Sequence, residues 1–291
     1  MDKRVKVRIV RSDSKEFKID GNDWKIPSNG LIGFGEYETS IATVDNAVGD
    51  GGSIESNRLN TKDRTIIAKS RNPLLNDILR REATSFFNSK FMYKIYITYM
   101  GVTRWCEGAI YKFACPTENV NVALNLTITF LCPNPYMKSF DDFGQNIASV
   151  IGMSGFPYLC SITEDTMQGI TGGIYQFAKM ITLENDGDAD TYCKAVLKAK
   201  GEVVNPKLII NGNYVRVIDV MKEEDIIIID FKKNPPTVEK NGNTYIGHCD
   251  RTSAFDDMVL IIGDSEVMFD ADNGSNLLDV SIYYNKLYQT I

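Results

Sequence analysis

Between residues 120 and 131 the side chains Val120, Val122, Leu124, Leu126, Ile128 and Phe130 alternate without a break with Asn121, Ala123, Asn125, Thr127, Thr129 and Leu131. Successive side chains of a strand point to opposite faces, so a period of two held this long requires one face to lie on a core. The run stops at Cys132-Pro133-Asn134-Pro135-Tyr136, because two prolines remove ladder donors and fix φ. Whatever else the chain does, it has to build a sheet around this segment.

Upstream, Asn72-Pro73 opens an amphipathic helix through Leu74, Leu75, Ile78, Leu79, Phe86 and Phe87. Asn is a good N-cap, and Pro suits the first helical position. Residues 91–100 then place Phe91, Tyr93, Ile95, Ile97 and Tyr99 on one face of a strand and Met92, Lys94, Tyr96 and Thr98 on the other. Both faces are bulky, which predicts a strand packed on two sides, by a helix or by a neighbouring subunit.

The order of these segments (Asn-Pro helix, Phe-Phe-Asn, aromatic strand with a Met-Gly turn, alternating strand, Cys-Pro-Asn-Pro-Tyr stop) resembles the distal tail proteins of siphophage-type tails and related phage-tail-like particles. Gly49-Asp50-Gly51-Gly52 followed by Arg64-Thr65-Ile66 is similar to that family's glycine turn and next strand. In the second half, Asn185-Asp186-Gly187-Asp188-Ala189-Asp190-Thr191, Asn205-Pro206, Val238-Glu239-Lys240-Asn241-Gly242 and Asp272-Asn273-Gly274-Ser275-Asn276 follow in the family's order. The resemblance therefore covers nearly the whole chain. Its specificity lies in the series, since each motif alone is a turn signature shared by many β proteins.

With 291 residues the chain is long enough for two domains, each with its own core. Residues 3–10 and 15–19 read as an opening hairpin. Residues 141–173, punctuated by glycines and with a short helix expected near Ile147–Met153, read as a connecting region between domains 1–140 and 174–291. Short strands return from about residue 174, with Asn211-Gly212 and Asn241-Gly242 as hairpin turns. The fold class expected is mainly β: two β-sandwich-type domains, the first carrying one amphipathic helix, the second galectin-like or jelly-roll-like.

Composition narrows the function classes. The net charge is −6, and residues 219–272 carry 13 acidic against 5 basic side chains. That opposes phosphate binding, which basic residues drive by releasing counterions. No apolar stretch approaches the roughly 20 residues of a spanning helix, so no membrane partner is expected. The N-terminal residues 1–8 are charged and alternating rather than a secretory signal, which places the chain in the cytoplasm when made. Six cysteines at 106, 115, 132, 160, 193 and 249 show no Cys-x-x-Cys pair, and they are expected to be small apolar fillers in a reducing compartment.

No catalytic, cofactor-binding or metal site emerges. The single histidine, His248, precedes Cys249, but neighbours on a strand point to opposite faces and cannot form a dyad. Asp186-Gly187-Asp188-Ala189-Asp190 begins like a calcium loop, yet Thr191 replaces the required glycine and Leu197 stands in place of the bidentate glutamate. Asp264, Glu266, Asp270 and Asp272 form an acidic cluster that could gather on calcium, though such clusters are usually solvated. Gly30-Leu31-Ile32-Gly33-Phe34-Gly35 has neither the lysine of a Walker loop nor a βαβ setting and reads as a turn or bulge.

The resemblance implies a structural virion component: a homohexameric ring at the tip of the tail tube, joining tube to baseplate around a central channel. Its implied partners are itself, the tail tube protein, the central baseplate or tail-associated hub protein and receptor-binding proteins, with no sequence-specific nucleic acid. The implied location is the virion tail tip, or the baseplate of a phage-tail-like particle, assembled in the host cytoplasm and released by lysis. Ring formation needs apolar surface, and Phe86, Phe87, Tyr93, Tyr96 and Tyr99 are the candidate ring-interface residues. The alternative is a carbohydrate-binding adhesion module contacting the host cell wall. Trp24 and Trp105 both precede residue 141, which leaves Tyr175, Tyr192, Tyr214, Tyr245, Tyr283 and Tyr284 as sugar platforms for the second domain.

Overall fold

The computed structural model describes residues 5–116, 122–140, 143–146, 149–151, 174–176 and 180–291. The whole glycine-rich stretch 152–173, Cys160 included, lies outside them. The chain divides into two compact units, 1–140 together with 287–291, and 141–286, each with its own hydrophobic core.

The first unit is an antiparallel sheet running, in spatial order, Glu16–Ile19, Lys6–Arg11, Met92–Tyr99, Val102–Ala114, Asn125–Cys132, Lys62–Ser70 and Trp24–Lys25. From Leu124 onward the alternating segment sits where its pattern requires; Val122 is exposed, and Val120 lies outside the described residues. Leu124, Leu126, Ile128 and Phe130 are buried, and the strand is hydrogen-bonded on both edges, Leu126 opposite Ala68 and Phe130 opposite Ile110. The Asn72 side chain accepts a hydrogen bond from the Leu74 amide at 3.1 Å. One turn of 3-10 helix, Pro73–Leu75, leads into the α-helix Asn76–Phe86, which lays Leu79, Ala83 and Phe86 on the sheet.

Two glycines are required by close approach. A Cβ on Gly33 (φ +80°) would stand 2.3 Å from the Asp63 carbonyl oxygen, and one on Gly30 would stand 2.7 Å from that of Ile67. Their short strand Leu31–Ile32 pairs with Ile66 and Thr65, so the expected turn or bulge includes a strand.

The second unit is a two-sheet sandwich. One sheet runs Phe143–Asn146, Leu278–Tyr284, Thr191–Ala199, Ile226–Asp230, Thr237–Lys240 and Asn243–Thr244; the other runs Met180–Asn185, Gly263–Asp270, Lys207–Ile210 and Asn213–Arg216. Their inner faces, Ala195, Leu197, Ile229 and Val280 from one sheet and Leu183, Leu208, Val267 and Phe269 from the other, belong to one core.

Three expectations are corrected. Ser149–Ile151 is a strand paired with Ile174–Gln176, not a helix. Phe143–Asn146 pairs with Ser281–Tyr284, so it belongs to the second unit's sheet rather than to a connection. Leu287–Tyr288 pairs with Met137–Ser139 in the first unit, and the second domain therefore stops short of the C-terminus.

Candidate assembly interface

The five candidate interface residues have different fates. Phe86, Phe87 and Tyr93 are 7%, 6% and 1% exposed and form an aromatic cluster with Phe17. Ring centroids lie 5.4 Å apart for Phe17 and Phe86, 4.9 Å for Phe17 and Phe87, and 6.0 Å for Phe86 and Tyr93. Tyr93 also closes the helix end: its hydroxyl accepts from the Asn88 amide at 2.7 Å and donates to the Asn88 carbonyl at 2.8 Å. Arg11, itself buried, donates to the Phe86 carbonyl at 2.8 Å and pairs with Asp13 at 2.7 Å. That hydrogen bond from Arg11 holds the Asp13 carboxyl down at about 2. These three aromatics are the protomer's own core and offer no surface to a neighbour. The helix aromatics cover the face carrying Tyr93, Ile95 and Ile97, whereas on the other face Met92 and Lys94 are exposed and Tyr96 is half-buried, so the two-sided packing expected of this strand is not found within the protomer. Tyr96 is half-buried against Trp105, centroids 5.9 Å apart, with the Arg8 guanidinium 4.4 Å from its ring, and Tyr99 is exposed.

The apolar surface of the first unit lies elsewhere. Thr39–Asp45 and Gly52–Leu59 form a two-stranded antiparallel ribbon that pairs with no other strand. Between Ser40 and Arg58 every residue of the ribbon is exposed, including Ile41, Val44, Val48 and Ile54. An isolated two-stranded hairpin is marginal in water, so a long one carrying four large aliphatic side chains calls for a covering surface. Beneath its base is a groove of about 1000 Å³ lined by Ile32, Tyr37, Leu59, Tyr111 and Leu131. Sequence reading saw the glycine turn at 49–52 but not the strands flanking it. They are rich in Ser, Thr and Asn and lack the alternation that a half-buried strand shows.

Elsewhere the candidate chemistry disperses. His248 ends a single 3-10 turn, Ile246–His248, rather than a strand, and its ring stacks on Tyr245 with centroids 3.9 Å apart. Burial pushes the Cys249 thiol up to about 11, away from nucleophilic thiolate. The Asn185 side chain accepts from the Gly187 amide at 3.1 Å and Asp190 from the Ile262 amide at 2.9 Å, so the calcium-like segment is tied up as a turn. Asp264, Glu266 and Asp270 belong to the strand Gly263–Asp270 and alternate with buried Ser265, Val267 and Phe269. Asp272 binds Arg216 and Asn205. Among the described residues no three His, Cys, Asp or Glu side chains gather as metal ligands, and no helix is long and apolar enough to cross a membrane.

Of the sugar-platform tyrosines, Tyr214 has Lys207 3.9 Å over its ring, Tyr245 is covered on one face by His248, and Tyr284 is buried. The Tyr175 side chain lies outside the description. His248→Ala and Cys249→Ala are expected to leave the protein's activity unchanged. Loss of activity in a variant with a wild-type circular dichroism spectrum would return chemistry to this turn.

No family model matches the chain, and no curated protein does. Solved structures do. The Dit protein (gp 19.1) of phage SPP1, described as a paradigm of the hub adsorption apparatus of phages infecting Gram-positive hosts, aligns over 97% of this chain and 98% of its own with TM-score 0.64 at 11% identity. Chains of the phage p2 baseplate in its activated conformation align over 99% of both partners, with TM-score 0.55 at 11% identity in the strontium form and 0.51 at 9% in the calcium form. At such identities the shared property is the fold, and it extends through both units.

Proposed function

We propose that this protein is the distal hub of a siphophage-type tail or tail-like particle, a ring of six copies that joins the tail tube to the baseplate. The observation that carries the reading is the end-to-end fold match to a hub protein, 97% of one chain on 98% of the other. The exposed ribbon and the groove at its base supply the apolar surface that a closed ring would cover. In this reading the first unit meets the last tube ring on one side and the central baseplate protein on the other, and the acidic second unit contacts receptor-binding proteins. The role is structural, without catalysis or cofactor. A net charge of −6 suits a protein lining a DNA path, since such a wall gains by not holding phosphate.

Light scattering coupled to gel filtration is expected to give a mass of six protomers, or of two such rings. Deleting the gene in a producing strain is expected to stop particles at the tube-to-baseplate junction. Gold label directed at the protein should decorate the tail tip; label along the shaft or at the head would overturn the assignment.

A further inference from the structure

The helix of the first unit carries a second apolar stripe. Leu79, Ala83 and Phe86 point to the core, whereas Leu74 is 89% exposed and Ile78 61%, with Leu75 also at the surface. The Asn76 side chain donates to the Val122 carbonyl at 2.8 Å, which sets exposed Val122 beside them. Leu74 and Leu75 lie in the 3-10 turn that leads into the helix, and Ile78 lies in the helix's first turn. Among the described residues nothing covers them. The turn into the helix and the helix itself bear Arg71, Arg80 and Arg81 against Asp77 and Glu82, an excess of one positive charge.

The groove at the ribbon's base has the opposite character. Its lining is mixed, with Ile32, Leu59, Tyr111 and Leu131 set among polar groups, and it carries Glu36, Glu38 and Asp63 against Lys62, an excess of two negative charges. The two surfaces lie at opposite ends of one strand. Lys62 and Asp63 open the strand Lys62–Ser70 at the groove, and Arg71 and Asn72 leave its far end for the helix. Eight steps of ~3.3 Å between Lys62 and Ser70 separate those ends by roughly 26 Å, too far for helix and groove to meet within one copy.

We propose that Leu74, Leu75 and Ile78 of one copy seat in the groove of the next copy, with Arg81, which pairs with Asp77 on its own helix, turned toward the acidic rim. This rests on the ring reading and deepens it by naming its two faces. The contact is heterologous: one patch meets a different patch on the neighbour, so each copy keeps a free helix and a free groove until the assembly closes. The groove is large enough to admit three aliphatic side chains, and opposite charge sets their orientation.

The test uses the full chain with Ile78 replaced by photoreactive benzoylphenylalanine. Irradiation is expected to give covalent species of two or more chains on a denaturing gel, with adducts mapped by mass spectrometry to residues 31–40, 59–63, 111 or 131 of another copy. Absence of adducts, or adducts only elsewhere, overturns the proposal. In parallel, Ile78→Asp is expected to reduce the ring to protomers in light scattering with an unchanged melting temperature, because this side chain faces solvent in the protomer. A ring that survives Ile78→Asp, or crosslinks that map elsewhere in an intact hexamer, overturns the docking while leaving the hub reading standing. A wild-type monomer whose subunits never crosslink overturns both.

Discussion

Leu126→Asp is expected to unfold the first unit and leave the second folded. Leu126 is fully buried in the middle of a strand hydrogen-bonded on both sides, and its neighbours on that face are Leu124 and Ile128. A carboxylate there has no cation or donor to pair with, and burying it costs several kcal/mol, comparable to the ~5–15 kcal/mol total stability of a domain. The second unit has its own core of two facing sheets, so calorimetry of the variant should lose one transition and keep another. Hydrogen exchange should place the lost protection in residues 5–140. If both transitions keep their wild-type temperatures, the register assigned to this strand is wrong.

Removing the ribbon is expected to do the reverse, abolishing assembly without harming the fold. Ser40 and Arg58 face each other across the ribbon, so residues 41–57 can be replaced by a two-residue Asn-Gly turn that suits closely paired strands. Every excised residue is exposed, so the excision takes no side chain from either core. The shortened protein should therefore melt like the wild type while its solution mass falls from ring to protomer. A shortened protein that still forms rings would remove the ribbon from the interface.

How much of this was legible depended on how strongly each segment is coupled to a core. The strand around Leu126 and the Asn72-capped helix were readable because burial imposes a period and a cap imposes a residue type. The acidic run ending at Asp270 looked like a ligand cluster because charge draws the eye. Its alternation with Ser265, Val267 and Phe269 was the better signal, and it marks an inner strand of the sandwich. The aromatic residues Phe86, Phe87 and Tyr93 were read as surface because the strand looked two-faced. A sequence cannot say which face a protomer's own helix will cover, and here the helix covers the Tyr93 face and leaves Met92 and Lys94 exposed on the other. The ribbon left almost no trace, since it is exposed throughout and no period is enforced.

The return of the last residues to the first unit changes what kind of module the second unit is. Met137 pairs with Tyr288 and Lys138 with Leu287, so the chain departs for residues 141–286 and comes back from them at the same end of one short ladder. The sandwich is an insertion held by a double tether, not a tail hung from a single thread. A pull on it is shared by two covalent links drawn in the same direction, which does not peel one strand from the other. One proteolytic nick leaves the sandwich attached. Because its entry and exit are side by side, evolution can exchange it as a cassette, provided Leu287 and Tyr288 are kept to complete the sheet they return to.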